Sequence, residues 1–262
     1  MMQGWTCWRR MIMKRNFKMR ISYDGTRYQG WEHQPTTDMT IQGKIETVLS
    51  KMVDMPEGKV VDVIAAGRTD AGVHAKGMIA NVQLDTAMTE EQILAYANKY
   101  LPEDICIDEL KAASDRFHAR YNAIGKTYCY SCYYGTAKPV FDRKYVTVLE
   151  EMPDVEQMKK AAAFLTGTHD YKSYCSNPRM KKTTVRSVDS IRISQNGPYI
   201  HIYFHGNGFL QNMVRIMTGT LLEVGFGRMK PEQVKEILVA GDRKLAGPTA
   251  KPCGLCLMEV DY

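Results

Sequence analysis

No run of apolar residues in this 262-residue chain approaches eighteen, which leaves the sequence without a membrane-spanning helix. The first residues also lack the continuous apolar stretch of a secretory signal. A cytoplasmic protein with no membrane partner is the expectation. The phosphate-cradling P-loop is missing too. Gly67 and Gly72 are separated by four residues, but Val73 and His74 stand where Lys and then Ser or Thr are needed. Metal ligands are poorly arranged. The seven cysteines include two CxxC pairs, Cys129 with Cys132 and Cys253 with Cys256, both in segments of strand character. Residues three apart on a strand point to opposite faces. His201 and His205 share a face but stand roughly 13 Å apart at about 3.3 Å per residue. No metal and a set of reduced thiols are therefore expected.

What is present is an ordinary soluble balance, 44% hydrophobic and 24% charged residues, enough for one large domain or two smaller ones. Thirty-five Lys and Arg against twenty-nine Asp and Glu give a formal charge of +6, a weak pointer to a polyanionic partner. The excess clusters at Arg179, Lys181, Lys182 and Arg186, after a Ser176-Asn177-Pro178 turn that reads as loop.

Residues 1–15 read as an N-terminal extension, expected to be disordered, with Met11 and Met13 as later start sites. From Phe17 the pattern becomes regular. Phe17, Met19, Ile21 and Tyr23 alternate as a strand, and Ile41, Ile45, Val48, Leu49 and Met52 recur at helical spacing. Val60 to Ala65 and Met78 to Leu84 read as two strands. Thr89 with Gln92 forms a capping-box pattern ahead of Ile93, Leu94, Ala97 and Leu101, and Asp104 to Leu110 returns as a strand. That order is βαββαβ. A long strand over 121–134, a helix opened by Asp154 and Gln157, a hairpin at Asn196-Gly197, helices carrying Phe209 to Val224 and following Pro231, and a strand over 255–262 repeat it. The fold class expected is α+β: two ferredoxin-like halves, 16–117 and 118–262, with largely antiparallel sheets flanking a central cleft.

The segment Gly67-Arg68-Thr69-Asp70-Ala71-Gly72-Val73-His74-Ala75 sets one carboxylate, flanked by an arginine, on a glycine-bounded turn between two strands. An Asp in such a turn is ordinarily a solvated residue bonded to its own backbone, and it is also where a reacting group would be held. Lys126, Tyr128, Tyr130, Cys132 and Tyr134 share a face of their strand, which suits either sheet packing or base stacking. Arg215 lies off the apolar stripe of its helix, which on spacing alone describes a solvated arginine.

Six blocks go further: YDGTRYQGW from Tyr23, AAGRTDAGVHA around Asp70, FHARYNAIGKTYCY from Phe117, GTHDYKSY from Gly167, GFLQNMVRIMTGTLLEVGFG from Gly208 and GLCLMEVDY from Gly254. Together they resemble the TruA family of tRNA pseudouridine synthases over Phe17 to Tyr262. The resemblance implies isomerisation of uridine to pseudouridine in the tRNA anticodon stem-loop, at positions 38, 39 and 40, without redox cofactor, ATP or metal. It assigns Asp70 as the catalytic aspartate, attacking ribose C1′ or removing a C2′ proton to give a glycal. Arg68 and Arg215 match arginines around that site, where a guanidinium favours the ionised carboxylate. Arg68 is also matched to filling the gap that a flipped uridine leaves. Tyr128 matches the tyrosine that contacts the flipped base, and Leu255 an apolar residue packed on it. Arg120, Lys126, Arg179, Lys181 and Lys182 are candidates for phosphate contacts. A homodimer whose clefts share one tRNA is implied as well. Two alternatives stand beside this one: a noncatalytic RRM-like RNA-binding module using the tyrosine strand, and a paralogue acting on other RNA uridines. The extension before Asn16 and the thiols Cys129 and Cys175 depart from the family's pattern.

Overall fold

Three helices begin on side-chain caps that the sequence supplies locally. Residues 14–177 and 179–262 are described in the computed structural model; the reading of residues 1–13 as a disordered extension lies outside them. Strand β1 (Lys14–Tyr23) already starts two residues inside the span assigned to that extension. Thr40 accepts from Gly43 N to open α1 (Ile41–Met52). Thr89 and Gln92 close both arms of a capping box on α2 (Glu90–Tyr100). Asp154 accepts from Glu156 N and Gln157 N at α3 (Val155–Phe164).

The first half is completed by β2 (Val63–Ala65), β3 (His74–Asp85) and β4 (Ile105–Ala113). The second carries β5 (Gly125–Tyr133), β6 (Thr147–Val148), β7 (Gly167–Asp170), β8 (Val185–Asn196), β9 (Tyr199–Gly206), helices α4 (Met213–Gly225) and α5 (Gln233–Ala240), and β10 (Leu255–Asp261). Two strand expectations shorten. Val60 is exposed, so β2 keeps only three residues of the apolar run. Residues 118–122 form a turn closed by Asn122 N to His118 O at 3.0 Å, which delays β5 to Gly125.

The ten strands of the described residues form one sheet, in the order β4-β1-β3-β10-β5-β9-β8-β7, with β2 on β3 and β6 on β5. The expectation of separate sheets is corrected by β10. It lies antiparallel to β5 and parallel to β3, where Cys256 meets His74 and Leu257 meets Ala75. β2 covers only the Ala80 to Val82 stretch of β3, leaving that edge free at His74 and Ala75 for β10 to pair with. Hairpin β8–β9 turns through Gly197, at φ +56, and Pro198; glycine reaches that φ without strain.

Alternation divides the two faces of the sheet. Phe17, Met19, Ile21, Tyr128, Tyr130, Ile202, Phe204 and Leu257 are buried in one continuous core with Ile45, Met158, Ile216 and Met217 from the helices. Their neighbours Lys18, Arg20, Ser131, His201 and Tyr203 on the other face are half-buried or exposed. Among the described residues no helix is long and apolar enough to cross a membrane.

Candidate active site

The Asp70 turn is held from below by the segment over residues 23–31. Tyr23 and Thr69 share a buried hydroxyl hydrogen bond at 2.8 Å. Trp31 N donates to Thr69 O at 3.1 Å, and Gly72 N to Tyr28 O at 3.2 Å. Gly30, at φ +102, lies so close that a Cβ there would sit 2.8 Å from Thr69 O. Gly25 N donates to His74 Nδ1 at 3.0 Å. Burial holds that imidazole below its usual range, against the opposing pull of Asp24, which agrees with a neutral ring accepting at Nδ1. Backbone contacts on both sides of Asp70 thus fix where its carboxylate points.

Its charge partner comes from the other half of the chain. Arg215, in the first turn of α4, places Nη1 3.2 Å from Asp70 Oδ2. Its side chain is only 15% exposed, against 32% for Asp70, so the arginine that helical spacing describes as solvated is in fact drawn inward. Nε donates to Ala250 O at 2.8 Å, and Nη1 also donates to Asn212 Oδ1 at 2.7 Å. Arg68 goes elsewhere. Its Nη2 pairs with Glu32 Oε1 at 2.5 Å on the exposed rim, so the guanidinium at the Asp70 carboxylate is Arg215 and not Arg68.

Tyr128 and Leu255 are placed on the helix-covered face of β5 and β10. Tyr128 is 8% exposed, packs edge-on against Phe209 at 5.3 Å, and has its phenol pushed up by burial and then by the nearby Asp70 charge. The middle of the expected tyrosine face is closed: Tyr130 and Cys132 are fully buried, with the Tyr130 hydroxyl donating to Lys251 O at 2.8 Å, and only Tyr134 at its end is exposed.

Lys126 donates to Ala66 O at 2.8 Å, beside Gly67, where a Cβ would meet Nζ at 2.9 Å. Burial pulls its ammonium down to about 8, and Arg120 and Arg186 push in the same direction. Arg120 lines a small recess with Trp31, Gly67 and Arg68. Arg179, Lys181 and Lys182 are exposed on the loop before β8 and do not contact Asp70. Sequence reasoning passed over Phe209 and Asn212, although both stand in the block from Gly208, and over Glu32, which follows the block ending at Trp31. Among the described residues, no three His, Cys, Asp or Glu side chains gather as a metal site. A recess of about 790 Å³ lies on the far face of the sheet, lined by His74, Cys129, Ser131, His201 and Cys256.

A carboxylate paired with a guanidinium, with a buried tyrosine close to its charge, forms a candidate active site of an α+β enzyme. The chain belongs to the tRNA pseudouridine synthase family, whose model matches residues 19–122 and 161–262. It is 45% identical to tRNA pseudouridine synthase A of Bacillus sp. (strain KSM-64), over 94% of this chain and 99% of that one. It is 42% identical to tRNA pseudouridine synthase A 2 of Clostridium perfringens (strain 13 / Type A), over 95% and 100%. To tRNA pseudouridine synthase A 1 of Clostridium tetani (strain Massachusetts / E88) it is 45% identical, over 95% and 100%. A chain of a solved Cbf5-Nop10-Gar1 complex aligns with 92% of this chain and 48% of its own at a TM-score of 0.36 and 10% identity, too distant to inform the fold.

Proposed function

We propose that this chain isomerises uridine to pseudouridine in the tRNA anticodon stem-loop, at positions 38, 39 and 40, with Asp70 as the catalytic carboxylate. The observation that carries the reading is the Arg215–Asp70 pair, set beside Tyr128 within a chain of this family. The ionised Asp70 attacks C1′ or takes the C2′ proton, and either route needs a carboxylate held in place and charged. In either route the N1–C1′ bond breaks with its electron pair passing to the uracil, which turns over and bonds C1′ through C5. The carboxylate then leaves C1′, or the proton returns to C2′; C5 loses its proton to solvent and N1 gains one. Tyr128 and Leu255 supply the surfaces that offset the unstacking of the flipped base, and Arg68 enters the space it vacates by leaving Glu32. Lys126, Arg120, Arg179, Lys181 and Lys182 take phosphates. The reaction moves a glycosidic bond within one nucleotide, so it transfers neither electrons nor phosphoryl groups.

Two ferredoxin-like halves, 16–117 and 118–262, are supported by a shared 4-1-3-2 strand order: β4-β1-β3-β2 in one and β10-β5-β9-β8 in the other. The cleft between them holds Asp70 from one half and Arg215 from the other. A cytoplasmic homodimer fits the half-exposed polar face of the sheet, where the second copy would cover His201 and Tyr203. The noncatalytic RNA-binding alternative loses its platform, because Tyr130 and Cys132 are buried.

Tritium release from tRNA carrying 5-tritiated uridine tests the assignment. Wild type releases tritium; Asp70→Asn binds tRNA and falls roughly 10³-fold or more in rate. Turnover by the mutant comparable with wild type would refute the role of Asp70.

A further inference from the structure

Helix α4 starts on a residue in an uncommon conformation. Asn212 has φ +58, in the left-handed region, one of two such non-glycine residues among those described. Asparagine at a helix N-cap ordinarily accepts an N–H of the first turn. Here no such bond forms. The side chain is used for something else. Its Oδ1 accepts from Arg215 Nη1 at 2.7 Å, and its Nδ2 donates to Ser176 Oγ at 2.9 Å. A guanidinium only donates, so the amide oxygen must face it and the amide nitrogen is left for Ser176.

The geometry points to Asn212 as a positioning residue that aims Arg215 at Asp70, giving up a helix cap and an ordinary φ to do so. This rests on the catalytic reading of Asp70 and Arg215 given above. The same Nη1 meets Asn212 at 2.7 Å and Asp70 at 3.2 Å, so a neutral acceptor holds the guanidinium more closely than its charged partner does. Ala250 O fixes Nε, and Ala250 N donates in turn to Arg215 O at 3.1 Å. Arg215 therefore stays in place when Asp70 loses its charge during the reaction, by bond formation or by taking a proton. Ser176, which also donates from N to Gln211 O at 3.2 Å, sets the orientation of the amide. It heads the loop that carries Arg179, Lys181 and Lys182, so the same bond joins the proposed phosphate-binding loop to the arginine.

Asn212→Gly separates positioning from folding, because glycine adopts this φ freely and removes only the side chain. Expected are an unchanged or higher Tm, unchanged tRNA Kd and KM, and a fall in kcat of about 10- to 100-fold. Ser176→Ala leaves the backbone at 212 untouched and lowers kcat by about fivefold. The Arg215 Nε–H signal in ¹⁵N NMR of the full chain should report a restrained group in wild type and a mobile one in Asn212→Gly. Wild-type kcat in Asn212→Gly, or equal Arg215 mobility in the two proteins, would overturn the proposal. If wild type forms no pseudouridine at all, the reading of the reaction fails, while the NMR comparison still decides whether Asn212 restrains Arg215.

Discussion

Arg215 Nη1 and Asp70 Oδ2 meet at 3.2 Å across 145 residues of sequence. One comes from a helix packed on the second half, the other from a turn seated on the first. Neither half alone contains the pair, so any change in how the halves register alters the site directly.

Arg215→Lys retains the charge and loses the fork. An ammonium cannot reach Ala250 O and still present a fixed donor to Asp70. We expect kcat to fall about 10- to 100-fold with Tm little changed, measured by single-turnover tritium release. Full activity in the lysine variant would show that charge alone suffices.

Removing only the hydroxyl of Tyr128 tests the ring against the phenol. Tyr128→Phe preserves the edge-on packing with Phe209, whereas Tyr128→Ala discards it. If the ring receives the flipped base, the alanine variant loses about 1 to 3 kcal/mol of transition-state stabilisation, read from kcat/KM, and the phenylalanine variant retains most of it. Equal losses in the two would place the function in the hydroxyl.

Lys126 sets a pH dependence with a definite sign. Its ammonium, pulled down to about 8 from an unfolded value near 10.5, binds fewer protons in the folded state between those limits. Stability linked to this group therefore rises with pH from about 8 to about 10.5, and its burial penalty is fully present below that window. tRNA affinity runs the opposite way, since only the ammonium neutralises a phosphate. Filter binding should show wild-type affinity declining above pH 8 more steeply than that of Lys126→Arg, which stays charged. Parallel pH profiles would remove Lys126 from the RNA contacts.

Tyr23→Phe deletes the hydroxyl bonded to Thr69, one residue from Asp70. The expected cost is about 1 kcal/mol in urea unfolding, together with a fall in kcat at constant KM. A stability loss with no change in kcat would make Tyr23 structural only.

Local chemistry was legible in the sequence, and distant partnership was not. The caps at Thr89 and Asp154 depend on neighbours three or fewer residues away, and both helices begin where the cap stands. Asp70 was found through its motif. Spacing on its own helix described Arg215 as solvated, because the acceptors that draw it inward lie on the Asp70 turn and at Ala250. Val60 misled for the same reason: β2 is fixed by Glu46 Oε1 accepting from Val63 N at 2.9 Å, and that anchor begins beyond Val60. The alternating tyrosines announced a face, but Tyr130 is closed by Thr147 and Lys251, which are 17 and 121 residues away in sequence.

Strand β10 lies between β3 of the first half and β5 of its own half, although it is the last element described in chain order. A polypeptide that lacks residues 255–261 leaves the β3 and β5 edges unjoined and has no Leu257 opposite Tyr128. Long-range pairing of this kind forms late. Until residues 255–261 are made, the Asp70 turn exists without the strand that ties its sheet to the one on which Arg215 is packed.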